Sequence, residues 1–189
     1  AEKLNNQLRQ SFKEEEIYRI DHYLGKDMVQ NIERLRFGNT IFEPLWNNNY
    51  ISNIQITSSE TLGIENRGTY YESSGALKDM VQNHMLQMVA LLAMEAPISL
   101  KSEDIRAEKV KVLKSLRQLK PEEVNQNFVR GQYGEGTIND QRVIAYRDED
   151  RVASDSNTPT FVSGRLTIDN FRWAGVPFYI RTGKRMKSK

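Results

Sequence analysis

Two segments concentrate the side chains able to do chemistry. In residues 19–26, RIDHYLGK, a strand-like stretch gives way to a helix-like one. A helix N-terminus presents free N–H groups and a partial positive charge, which suits a phosphate. His22 and Lys26 bracket that start and Tyr23 adds a hydroxyl, so the three can form an anion cradle. The same residues also suit a plain capping turn, in which Asp21 caps, Tyr23 and Leu24 pack, and Lys26 is solvated.

The second segment is residues 78–87, KDMVQNHMLQ. It opens a helix that turns apolar almost all round toward Met94 and must therefore be buried. Asp79, Gln82, Asn83, His84 and Gln87 crowd its first half. Polar groups on a buried helix cost free energy unless bonded or used. On an α-helical wheel Asp79 and His84 stand about 140° apart. They then approach one ligand from two sides or take separate partners; a hydrogen-bonded core histidine is the plainer reading. Histidine accepts a proton near neutral pH, and a neighbouring carboxylate fixes its tautomer. Asp21, Asp79 and Glu60 are the candidates. A third cluster, Arg181-Thr182-Gly183-Lys184 followed by Arg185, Lys187 and Lys189, reads most simply as a solvated basic tail.

Several chemistries lack their motif. The run Gly131-Gln-Tyr-Gly134-Glu-Gly136 has the wrong spacing for a dinucleotide loop and leads into a strand-like region, so it reads as a turn. No Walker-type loop is present. His22 and His84 are far apart in sequence and neither lies in a HExxH pattern, so no metal site is expected.

The elements that must position these residues follow from periodicity. Residues 2–12 read as the end of an amphipathic helix through Leu4, Leu8 and Phe12. Residues 16–20 read as a strand and 25–36 as a helix closed by Gly38. A strand is predicted over 50–57 and loop with short structure over 58–75. The longest helix spans 76–94 and is ended by Pro97, and a charged helix capped by Ser102 spans 102–119. Strands are predicted over 128–133, 160–168 and 176–181, with a polar loop over 148–159. Helices first and strands later imply an α+β fold, helices packed on a mainly antiparallel β-sheet.

Composition sets the outer bounds. Hydrophobic residues make up 38% and charged residues 28% of 189 residues, enough for a soluble domain with a core. A net charge of +2 gives no drive toward nucleic acid or membrane. Without cysteine there are no disulfides or thiolate metal sites, which agrees with a reducing compartment. The start without Met and the basic end suggest a piece of a longer protein.

Taken together, RIDHYLGK (19–26), KDMVQNHMLQM (78–88), DIRAEKVKVL (104–113), RGQY (130–133) and WAGVPFYIRTGK (173–184) resemble the glucose-6-phosphate dehydrogenases, in family order and over nearly the whole chain. The resemblance implies that residues 1–20 end a dinucleotide-binding domain and residues 21–189 are part of a substrate-binding and dimerisation domain, truncated relative to the family. It implies His84 as the base for the C1 hydroxyl of glucose 6-phosphate and Asp21 as the carboxylate that orients it. His22, Tyr23 and Lys26 match phosphate-binding positions, Glu60 and Asp79 positions that bind sugar hydroxyls, and Lys184 and Lys189 further substrate-binding positions. It further implies NADP as cofactor with no cofactor-binding residue in this chain, a homodimer or tetramer, and a cytoplasmic location. The alternative is a non-catalytic sugar-phosphate-binding or dimerisation module.

Overall fold

A computed structural model describes residues 2–18 and 20–188, with the backbone alone at Glu2; Arg19 and the predicted substrate residue Lys189 lie outside the described residues. Among the described residues are six α-helices and six strands, the strands forming a four-stranded sheet and a separate two-stranded one: α1 (Glu2–Ser11), α2 (Asp27–Phe37), β1 (Ile54–Ser59), α3 (Gly68–Ala76), a π-helical stretch (Leu77–Met85), α4 (Leu86–Ala93), α5 (Ser102–Lys114), α6 (Pro121–Asn127), β2 (Phe128–Gly131), β3 (Gly136–Ile138), β4 (Gln141–Val143), β5 (Phe161–Thr167) and β6 (Pro177–Gly183). The main sheet has the order β1-β6-β5-β2; β1 runs parallel to β6 and the other pairs are antiparallel. The α+β architecture with a mainly antiparallel sheet is the one the sequence implies.

Burial dictates how helix and sheet meet. The π-helical stretch and α4 bury Met80, Val81, Met85, Met88, Val89, Ala90 and Leu91 against Ile56, Val162, Phe178 and Ile180 of the sheet. Such a helix ends with four carbonyls lacking intrahelical partners, and at this end Leu91, Ala93 and Met94 are buried. Side chains from three distant segments satisfy these carbonyls. Arg36 donates to the carbonyls of Leu91 and Met94 at 2.8 and 2.7 Å. Trp46 donates to Leu92 at 2.7 Å and Trp173 to Ala93 at 2.8 Å. Burial, partly offset by Glu43, pushes the Arg36 guanidinium down to about 10.

The sequence and the structure differ in instructive places. Among the described residues of the predicted strand 16–20 none is in a strand: Glu16 closes a 3-10 turn, Glu14–Glu16, and Ile17, Tyr18 and Ile20 pair with no strand. The predicted loop over 58–75 holds the end of β1, a 3-10 turn and α3. Its glycines mislead, because Gly68 opens α3 where the backbone of Asp150 leaves no room for a Cβ, and Gly75 kinks its end at φ 57°. The β3–β4 hairpin and α6 were not anticipated. The hairpin turns on Asn139 and Asp140, both with positive φ, as its two-residue loop demands. Ser102 is the first residue of α5 rather than its cap, and the helix stops at Lys114. Helix α1 forms, but Leu4 and Phe12 of its apolar stripe are exposed. Among the described residues no helix is long and apolar enough to cross a membrane.

Candidate active site

The site is assembled where two pieces of chain meet the C-terminal ends of the parallel pair β1 and β6. The first piece is the turn before α2. Asp21 Oδ1 accepts the Tyr23 N–H at 2.9 Å, and successive turns carry Leu24, Gly25 and Lys26 into the helix. Helix α2 begins only after Lys26, and its first residue is the acidic Asp27. The positive charge offered to an anion here is therefore mainly that of Lys26.

The second piece is the π-helical stretch. Its ladder closes on i→i+5 bonds, as in the Leu86 N–H donating to Val81. In such a ladder residues five apart stand one turn above each other, as i and i+4 do in an α-helix. Asp79 and His84 are five apart and both half-buried, and behind them Met80 and Met85 are both buried. The wide angle expected from the α-helical wheel is thus closed, and both polar side chains emerge on one face.

His84 Nδ1 lies 2.7 Å from Asp21 Oδ1. With Nδ1 held by the carboxylate, the lone pair of the imidazole is presented at Nε2. The His84 ring stacks on Tyr23 at 4.1 Å and 17°. Lys26 Nζ sits 3.4 Å from the centroid of the Tyr23 ring. Tyr23 is buried, with its hydroxyl 3.4 Å from Ser58 Oγ and donating to Met80 Sδ at 3.8 Å. The His22 ring approaches His84 edge-on at 4.9 Å. Capping and packing therefore coexist with a converging polar cluster: Asp21 both caps the turn and bonds His84, while Tyr23 is core on one edge and site wall on its face.

Glu60, Asp79 and Lys184 form a second cluster along the same face. Lys184 Nζ lies 2.5 Å from Glu60, and the lysine is buried. The Glu60 N–H donates to Gly183 at 2.9 Å, so the end of β6 places both members of the pair. Tyr70 donates its hydroxyl to Asp79 Oδ1 at 2.9 Å. Tyr71 lies between them, with Lys184 Nζ 5.4 Å from its ring. Burial and then the charges of Asp79 and Glu60 push its phenol far up, so it stays neutral. Tyr70 and Tyr71 were missed because residues 58–75 read as loop; the adjacent tyrosines were the available signal.

An open cleft of about 1580 Å³ borders the dyad from the other side, lined there by Asp21, His84, Gln87 and Lys109. Gln87 Oε1 is buried without a hydrogen-bond partner among the described residues. Burial lowers the Lys109 ammonium, and the charges of Glu33 and Asp21 work against that fall.

Ligand atoms of Asp21, His22 and His84 lie within 4.8 Å of one another, so the two histidines that are remote in sequence share a donor set. One Asp21 oxygen is already committed to His84, and Lys26 stands across the Tyr23 ring. A positive charge on the neighbouring turn favours an anion over a cation. For a dinucleotide the fit is poor. The glycine-rich run joins β2 to the β3–β4 hairpin instead of opening a helix, so it offers no pyrophosphate cradle.

Residues 33–189 match the family described as glucose-6-phosphate dehydrogenase, C-terminal domain, and residues 1–31 the family described as glucose-6-phosphate dehydrogenase, NAD binding domain. Along its whole length the chain is 69% identical to glucose-6-phosphate 1-dehydrogenase of Bacillus subtilis (strain 168) and 53% identical to that of Streptococcus pneumoniae serotype 4, covering 39% and 38% of those proteins. A solved glucose-6-phosphate dehydrogenase in complex with its substrate glucose-6-phosphate superposes with a TM-score of 0.87 at 41% identity, over 97% of this chain and 37% of that one. Glucose-6-phosphate 1-dehydrogenase from Mycobacterium avium gives 0.84 at 43% identity, over 97% and 38%.

Proposed function

The chain belongs to the glucose-6-phosphate dehydrogenase family, and on that premise we propose that the complete protein oxidises D-glucose 6-phosphate to 6-phospho-D-glucono-1,5-lactone with NADP, the first step of the pentose phosphate pathway, in the cytoplasm. This chain supplies the sugar-phosphate site and the base. The glycine-rich run of residues 131–136 opens no helix, so the reading of this chain rests on the sugar and the proton.

The observation that carries the reading is the 2.7 Å contact between Asp21 and His84, with His84 stacked on Tyr23 beneath Lys26. His84 Nε2 takes the proton of the C1 hydroxyl as C1 is oxidised. Asp21 keeps the imidazole in the tautomer that can accept it and stabilises the imidazolium that forms. Lys26 and His22 receive the phosphate, with Tyr23 assigned to the same site from its match to the family. Asp79 and Glu60 accept from ring hydroxyls, with Lys184 holding Glu60 in place; Lys189 is assigned to the same substrate site from its match to the family.

Residues 1–20 then end the dinucleotide-binding domain and residues 21–189 belong to the substrate and dimerisation domain. A homodimer or tetramer formed through the sheet is supported by Tyr179 and Val129, which leave apolar surface exposed on strands of that sheet.

The test is an assay of the complete protein beside a calorimetric titration of this chain. The complete protein reduces NADP only when glucose 6-phosphate is added, while the chain binds glucose 6-phosphate more tightly than glucose or inorganic phosphate and turns nothing over. A folded complete protein that oxidises no glucose 6-phosphate overturns the enzymatic reading. Sugar-phosphate binding that survives in that case favours a non-catalytic module.

A further inference from the structure

The Tyr70–Asp79 hydrogen bond is not explained by packing. The Tyr70 ring is half-exposed at 48% and contributes little to the core, yet its hydroxyl reaches past the Gly75 kink to a carboxylate nine residues on. Its helix is also fixed far more firmly than a surface helix requires. The segment after the 3-10 turn Tyr146–Asp148 lies along α3 as a strap. Glu72 Oε1 accepts hydroxyls from Tyr146 at 2.5 Å and Ser156 at 2.6 Å. Thr158 donates to the Glu72 carbonyl at 3.2 Å, and the Ala76 N–H donates to Pro159 at 2.8 Å. Gly75 and Ala76 are buried against this strap. Tyr70 is therefore held on a rigid arm, with its hydroxyl aimed at one oxygen of Asp79.

A carboxylate on a half-exposed helix face rotates freely and offers either oxygen to a ligand. A donor fixed at Oδ1 removes that freedom and leaves Oδ2 as the oxygen for an incoming hydroxyl. We infer that Tyr70 is a positioning residue: it orients Asp79 so that the enzyme recognises one particular ring hydroxyl of the sugar phosphate. The inference rests on the assignment of Asp79 to the sugar in the proposed function, and Tyr70 itself need not touch the substrate.

Tyr70→Phe in the complete enzyme removes only the hydroxyl. The expected result is a rise of about tenfold in KM for glucose 6-phosphate, the scale of one hydrogen bond to a charged group, with kcat within about twofold. The melting temperature stays unchanged, because the ring is retained. The double variant Tyr70→Phe/Asp79→Asn has the KM of Asp79→Asn alone, since Tyr70 acts through that carboxylate. Among mono-deoxy analogues of glucose 6-phosphate, the one that the native enzyme rejects through Asp79 is rejected less by Tyr70→Phe. An unchanged KM in Tyr70→Phe beside a raised KM in Asp79→Asn overturns the inference and leaves the sugar role of Asp79 standing. Additive losses in the double variant, or a lowered melting temperature with KM unchanged, also overturn it. If Asp79→Asn binds substrate normally, the sugar assignment of Asp79 falls and the inference falls with it.

Discussion

Asp21 Oδ1 and His84 Nδ1 are 2.7 Å apart although 63 residues separate them in the chain. The contact joins a turn before α2 to a π-helical stretch, so each partner is placed by a different element. His84→Asn in the complete enzyme is expected to lower kcat by about 10²- to 10⁴-fold with KM for glucose 6-phosphate changed little, as removal of a general base does. Asp21→Asn leaves the ring in place but loses the carboxylate, and a loss of about 10²- to 10⁴-fold in kcat is expected. Steady-state kinetics of both variants provide the check; full activity in Asp21→Asn is incompatible with the dyad.

Among the described residues Lys26 pairs with no carboxylate; its ammonium lies over the Tyr23 ring. Lys26→Gln is expected to raise KM for glucose 6-phosphate by about 10- to 100-fold, the scale of a lost charge-assisted hydrogen bond. Binding of glucose without the phosphate should not change. Calorimetry with the two ligands separates these outcomes, and an equal loss for both would assign Lys26 to folding of the turn.

Gly75 adopts φ 57°, ψ 176°, a conformation almost confined to glycine. A Cβ there would also lie 3.2 Å from both Pro159 and Thr158. Gly75→Ala is expected to cost about 1–3 kcal/mol of stability, read as a fall in the thermal unfolding midpoint. Since this kink sets the start of the stretch that bears Asp79 and His84, kcat/KM should fall as well. A variant with native midpoint and native kinetics would show that the kink is not needed.

Glu72 carries the pH dependence of the strap. Burial pushes its carboxyl up, but donors from Ser156, Tyr146, Ala153 and Thr158 outweigh this and hold it below the usual carboxylate range. A carboxyl lowered in the folded state stabilises the fold above its unfolded value, roughly pH 4.3, and that stability is lost as pH falls through the folded value. Glu72→Gln should therefore be less stable than the native chain near neutrality, with the gap closing in acid. Urea unfolding at pH 7 and at pH 4 measures it; a gap that widens in acid would contradict the assignment.

Much of this protein is written in local sequence. The apolar run through Met94 specifies a buried helix, alternation specifies β5 and β6, and Gly38 marks the end of α2, because periodicity and backbone freedom act within a few residues. The residue types of the site were equally plain, and so was their resemblance to a family. Side-chain chemistry alone left three carboxylates open as the partner of His84. The family resemblance pointed to Asp21, and the packed structure brings it within 2.7 Å of His84; a contact spanning 63 residues depends on where two elements dock and has no local signature. Helical spacing set Asp79 and His84 well apart, whereas the i→i+5 ladder of Leu77–Met85 brings them onto one face. Residues 58–75 read as loop with short structure, since the glycines that punctuate them signal turns locally; the strap over α3 turns Gly68 and Gly75 into close contacts. Local periodicity decided which segments form elements, and tertiary packing decided which polar groups meet, since partners remote in the chain converge only once the core is closed.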